Sequence, residues 1–267
     1  MNYLFVFSII FILLLLALLT KIVKGFLKMF FLASTIVTLL LVVFSYFIYI
    51  DVTEFKEGWE QSPKLFLLQD KGYLISGFKA DPQNVKTPIY PLSREVMDSY
   101  KDPFTKEDYD AILGENYKLF IIDFTAFEKI DTLNVFGTEL KLAQVKEMLD
   151  SDTPTKDFME INLGQTLNLN IPKDQDEMFR SSLFSGLFAN AIKKEGPLFI
   201  VSKVKDKRVL VYPETALFKS IKLIPLSLFK QAFTQVVEVS EQGAVAAAVA
   251  INNLIDERKG DFVDILR

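Results

Sequence analysis

The chain has 267 residues, lacks both cysteine and histidine, and carries a formal net charge of −4. Those absences exclude disulfides, zinc–thiolate sites, thiol catalysis and every mechanism built on an imidazole. The only charges in the first fifty residues are Lys21, Lys24 and Lys28. The remainder holds 27 cations against 34 acids, an excess of seven negative charges that argues against nucleic-acid binding and disfavours acidic substrates.

Residues 3–20 form an uncharged apolar run of eighteen, about 27 Å long as a helix, and residues 29–50 form a second of twenty-two, about 33 Å. Each is long enough for a hydrocarbon core of about 30 Å. A signal peptide is disfavoured for the first run, which has neither a cationic leader nor a small-residue cleavage site. The expectation is a two-helix transmembrane hairpin over residues 1–50, turning at Gly25, with Lys21, Lys24 and Lys28 snorkelling to the headgroups. The positive-inside rule puts those lysines in the cytoplasm and the rest of the chain outside. Tyr46, Tyr49 and Trp59 suit the outer interface. The order apolar run, Lys24-Gly25-Phe26, apolar run resembles the start of the colicin V production family of membrane proteins over about fifty residues. That resemblance carries no function across, and the family has four spans where two are read here.

Residues 51–63 read as a juxtamembrane linker that extends the second helix and stops near Gly58 and Pro63. Residues 64–79 read as a β-hairpin turning at Asp70-Lys71-Gly72. Three prolines make residues 81–91 a loop. Two short helices follow, one from about Ser93 and one capped by Thr105 and closed by Gly114, and residues 117–123 form a buried strand. A Leu-Phe-aliphatic-aliphatic pattern recurs at Leu65, Leu119 and Leu198, each time read as opening a strand. Consecutive apolar residues are what a strand buried on both faces requires.

Residues 132–140 are extended around a turn at Gly137, residues 142–149 are helical, residues 151–157 are a loop, and residues 158–171 read as a strand pair. A long helix is expected from Pro172 to about Lys194, with Asp174, Asp176 and Glu177 at its positive end and Gly196 closing it. Its small face of Ser181, Ser182, Ser185, Gly186 and Ala189 lets another element pack close. A last helix is expected over residues 240–259, where the alanine-rich run is too short to span a bilayer.

Candidates for chemistry are few. Ser227 with Lys230 and Ser202 with Lys205 have the Ser-x-x-Lys spacing of a lysine-activated nucleophile, but no Lys-Thr-Gly accompanies them. The acids of residues 150–157 fail the calcium-loop pattern at Pro154 and Thr155. Asp123 ends a strand, where an acid commonly satisfies loop amides. Neither a phosphate-cradling glycine loop nor any other cofactor motif is present, so no cofactor and no metal are expected.

Residues 215–237 differ from the rest, with three lysines and no acid. Leu217, Ile221 and Ile224 fall at helical spacing up to Pro225, Phe229 and Phe233 follow, and Lys219, Lys222 and Lys230 point elsewhere. This is the composition of a membrane-surface helix or a partner-binding face; the plainer alternative is a kinked helix packed on its own domain. The sequence is therefore read as an α+β protein. A transmembrane hairpin precedes an extracytoplasmic domain over residues 64–267, with a mostly antiparallel sheet and several packed helices. The domain is expected to bind a protein partner or a ligand, its partners being the lipid bilayer and a protein, and an accessory subunit of a membrane assembly is the specific form of that role. The alternatives are a membrane-bound hydrolase using a Ser-Lys pair or carboxylates, and a domain facing the cytoplasm on the same anchor.

Overall fold

The structure is a computed structural model that describes residues 3–84, 89–164, 171–196 and 198–223. The chain divides into two compact units, Met1–Ile50 and Asp51–Arg267. In the first, helix α1 (Tyr3–Gln61) begins, and it runs unbroken through residues 21–28. This differs from the expected hairpin: a single helix replaces two. Residues 21–28 hold one glycine, costing about 1 kcal/mol, and no proline, while lysine and leucine favour the helix. On that helix Lys21, Lys24 and Lys28 fall at i, i+3 and i+7 and so share one face. Within α1, residues 23–61 are long and apolar enough to cross a membrane.

The second unit is a mixed α+β domain. Strands β1 (Lys64–Asp70), β2 (Tyr73–Ala80), β3 (Ile89–Pro91), β4 (Lys118–Asp123) and β7 (Val209–Tyr212) form a sheet in the order β3-β2-β1-β4-β7. Three of its pairings are antiparallel; β1 with β4 is parallel. β5 (Thr132–Val135) and β6 (Thr138–Lys141) make a separate hairpin around Gly137.

The recurring Leu-Phe pattern now has a structural meaning at two of its three places. Leu65, Phe66, Leu67 and Leu68 pair in register with Leu119, Phe120, Ile121 and Ile122 across the parallel β1–β4 ladder. Side chains alternate between the faces: Leu65, Leu67, Leu119 and Ile121 enter one core, Phe66, Leu68, Phe120 and Ile122 the other. The smaller core is covered by α2 (Arg94–Thr105) and α3 (Tyr109–Leu113). The larger is covered by the last turns of α1 together with α4 (Leu142–Asp150), α5 (Pro154–Leu163), α6 (Lys173–Glu195), α7 (Phe199–Lys205) and α8 (Ala216–Leu223). At its centre Phe66 stacks on both Phe78 and Phe120, ring centroids 4.9 Å apart in each pair.

The third occurrence, at Leu198, is helical in α7 rather than a strand. Four apolar residues cannot distinguish a buried strand from a buried helix turn, and here Phe199 and Lys203, four residues apart, are buried together with Val204. Residues 158–163 likewise belong to α5 instead of a strand pair. Pro154 starts that helix, and Gly164, in the left-handed region at φ 66°, ends it. The short helix α3 is capped by Asp108, which accepts from the Ala111 amide at 3.2 Å, because α2 itself continues to Thr105. In α6 the small face works as expected: Ser181 Oγ donates to the Gly77 carbonyl of β2 at 2.7 Å. Asp176 accepts from the Thr155 amide at 3.1 Å and so caps α5. The helix expected over residues 240–259 lies outside the described residues.

Residues 51–61, expected as a linker, are built into the domain. Val52, Phe55 and Trp59 pack against the large core. Gly58 makes this approach possible: the Tyr117 ring lies over it, 2.3 Å from where a Cβ would stand, and the Tyr117 hydroxyl donates to the Glu54 carbonyl at 3.2 Å. Gly58→Ala is therefore expected to destabilise the domain, although alanine is the better helix former by about 1 kcal/mol. The cost should shrink in Gly58→Ala combined with Tyr117→Ala. Urea denaturation of the four variants measures both effects, and a stabilised Gly58→Ala would refute the contact.

Candidate partner-binding site

The last turns of α1 also position the basic segment singled out in the sequence. The Asp51 carboxylate accepts from the Leu217 amide in the first turn of α8 at 2.9 Å, which satisfies one of that helix's orphan donors. Phe55 meets Phe218 edge-on at 5.4 Å. The Lys118 ammonium, entering from the start of β4, donates to the Pro213 carbonyl at 2.7 Å and so fixes the turn between β7 and α8. Beside it in the ladder, Lys64 donates to the Trp59 carbonyl and sits 4.9 Å over the Trp59 ring.

Held this way, α8 divides sharply. Leu217, Phe218 and Ile221 are each 2% exposed and belong to the large core, whereas Lys219 and Lys222 face outward. Of the sequence-derived surface residues, the structure brings Lys219 and Lys222 to a common surface and puts Leu217 and Ile221 inside. Ile224, Phe229, Lys230 and Phe233 lie outside the described residues, as does the Ser227–Lys230 pair.

Lys219 and Lys222 form one wall of a groove of about 650 Å³ that follows the whole of β7. The rest of the lining includes aromatic and apolar residues: Tyr109 packs against Tyr212 with centroids 5.7 Å apart, and Leu210 on the same strand as Tyr212 is 37% exposed. Lys207, in a left-handed turn at φ 59°, stands at the entry to the strand. Glu214 pairs with Lys222; Lys207 and Lys219 make no ion pair among the described residues. The residues at 207–212 carry a strand signal in the sequence, but nothing there indicates that α3 would bring Tyr109 alongside. The aromatic wall is a product of tertiary packing.

The other chemical candidates are accounted for structurally. Asp123 accepts from the Thr125 amide at 2.9 Å and from its hydroxyl, the loop-satisfying role expected of it. Ser202 and Lys205 lie on α7, whose inward face is formed by Phe199, Lys203 and Val204. Lys203, 2% exposed, bridges Glu195 at 3.3 Å. Among the described residues no three acids are grouped as metal ligands. The chain matches no protein-family model, no curated protein and no solved structure.

Two buried ammonium groups at the starts of β1 and β4 make stability depend on pH. Burial pushes Lys64 down to about 8 against the attraction of Asp81, and it pushes Lys118 down against Asp51 and Glu54. Between about 8 and the ordinary 10.5 the unfolded chain holds a proton on Lys64 that the folded chain has released, so stability rises with pH through that window. Tyr117 acts oppositely: burial, then Glu54 and Asp51, push its phenol up to about 12, which costs stability only as pH climbs past its ordinary 10.0. Unfolding free energy measured by urea titration should therefore increase from about pH 7.5 to about pH 9.5. Lys64→Met should flatten that rise, and a slope that survives the substitution would remove Lys64 as its source.

Proposed function

We propose that this protein is a membrane-anchored binding module whose folded domain lies outside the cytoplasm and receives a protein partner at the groove between β7 and α8. An accessory subunit of a larger membrane assembly is the specific form of that role. The observation that carries the reading is the division of α8: its apolar side is spent on its own core, and its lysines border β7, which among the described residues is paired on one edge only. A helix that inserts into a lipid surface needs an apolar face to insert. With Leu217 and Ile221 buried, that option is weaker than a partner docking against the lysines.

The anchor is supported by the outward-facing apolar side chains of α1, among them Phe30, Leu41 and Tyr49 at 60%, 60% and 69% exposure. Such a band is costly in water and favourable in hydrocarbon. The orientation needs only one crossing, by residues 29–50. Three lysines precede that run and acidic Asp51, Glu54 and Glu57 follow it, so the positive-inside bias keeps the lysines in the cytoplasm and sends the domain across.

The chain contains no cysteine, so a single Tyr73→Cys at the 75%-exposed tip of the β1–β2 hairpin gives a clean reporter. Intact cells expressing this variant should be labelled by a membrane-impermeant maleimide; labelling that requires lysis would overturn the outside assignment. For the binding role, a photo-crosslinking residue at position 219 should capture a partner that the same group at position 101, on α2, does not. Equal capture at both positions would overturn the assignment of the groove.

A further inference from the structure

The edge of β7 away from β4 has a defined hydrogen-bonding capacity. The Asp123 amide donates to the Arg208 carbonyl at 2.8 Å, which sets the phase of the antiparallel ladder. In that phase the Arg208 carbonyl and the backbone groups of Leu210 and Tyr212 turn toward β4, the Arg208 amide donates to the Lys203 carbonyl at 2.8 Å, and Val209 and Val211 turn their backbone groups toward the groove. Among the described residues, no strand lies beyond β7 and neither valine makes a backbone bond outside the sheet. Two N–H and two C=O groups therefore line the floor of the groove.

We propose that this edge receives an extended segment of a partner protein as an added antiparallel strand, with acidic side chains alternating with apolar ones. The proposal rests on the binding-module reading and specifies how the partner binds. Main-chain bonding to an open edge supplies affinity, and the two walls supply selectivity for alternate side chains. An added strand points successive side chains to opposite sides. On the side of the large core they meet Lys219 of α8, with Lys222 beside it paired to Glu214; on the other they meet Tyr109, Leu210 and Tyr212. Acid toward the first wall and an aliphatic group toward the second satisfies both.

A second copy of the same edge fits poorly, because antiparallel self-pairing sets lysine-bordered strands against each other and like charges across an interface disfavour it. Pro213 and the Lys207 turn limit the edge to four residues, which blunts indiscriminate pairing. A short acidic strand is what remains compatible.

The test uses the full chain in lipid nanodiscs and an eight-residue synthetic peptide alternating glutamate and valine. Saturating peptide should slow hydrogen exchange at the Val209 and Val211 amides, read by mass spectrometry or NMR. N-methylation of the peptide's edge-facing amides should abolish binding, a lysine–valine peptide should not bind, and Lys219→Glu should weaken affinity about tenfold with an unchanged circular dichroism spectrum. Absence of binding, or affinity indifferent to N-methylation, overturns the proposal. So does protection of both amides before peptide is added, which would assign the edge to the chain's own residues. If a partner crosslinked at position 219 leaves those amides exchanging freely, strand addition falls while the binding-module reading stands.

Discussion

The fold depends on the last turns of α1 being part of the domain's core. Trp59 meets Phe120 edge-on at 5.9 Å and lies tilted against Phe55 at 5.4 Å, so an aromatic chain runs from the helix into the centre of the sheet. Each such side chain contributes on the order of 2 kcal/mol by burial, and the edge-on contacts add to it. Polar groups fix the register of that docking. Lys64 ties to the Trp59 carbonyl, Tyr117 to the Glu54 carbonyl, and Asp51 to the first turn of α8. Buried ammonium groups are costly, and here each is directed at a carbonyl: Lys64 at Trp59 of the docked helix, Lys118 at Pro213 in the turn between β7 and α8. The helix and the sheet thus stabilise each other, and an engineered boundary at residue 63 would cut through the core.

The parallel β1–β4 pair explains the arrangement of the rest. A strand with neighbours on both sides and apolar residues at every position has two faces to cover, so helices are needed above and below. The chain supplies α2 and α3 on one side, between β3 and β4, and its later helices on the other. The Phe66 stack fills the centre of the thicker layer, and the small face of α6 lets that helix come close enough for Ser181 to bond the β2 backbone.

Much of this was legible where a local rule coincided with a tertiary need. The β1–β2 hairpin, the β4 strand, the Gly137 turn and the long helix α6 each carried both a pattern and a punctuating residue, and all are present. The misread elements lacked one of the two. Residues 158–163 show no clear period, and the helix is marked chiefly by Pro154 and Gly164 at its ends. Leu198 opens a run too short to have a period at all. The hairpin expected at residues 21–28 rested on charge and a single glycine, neither of which breaks a helix. As for the site, the lysines at 219 and 222 were visible as a departure from an acidic background, but Tyr109 and the orientation of the Val209 and Val211 backbone emerge only from packing and register.

That difference bears on how the groove acquires its character. Composition placed lysines on α8, yet a lysine on a helix surface is ordinarily a solvated charge with no role. What distinguishes Lys219 is its position across from an aromatic wall, over the only backbone groups that β7 does not use within the sheet. Asp51 and Lys118 hold the helix and the turn on which that geometry depends, and Asp51 immediately follows the apolar run. The contacts of Asp51 and Lys118 therefore tie the last turns of α1 and the β7–α8 turn to the groove, and on the proposed reading a partner strand added at β7 would extend a sheet whose large-core face those turns help to cover.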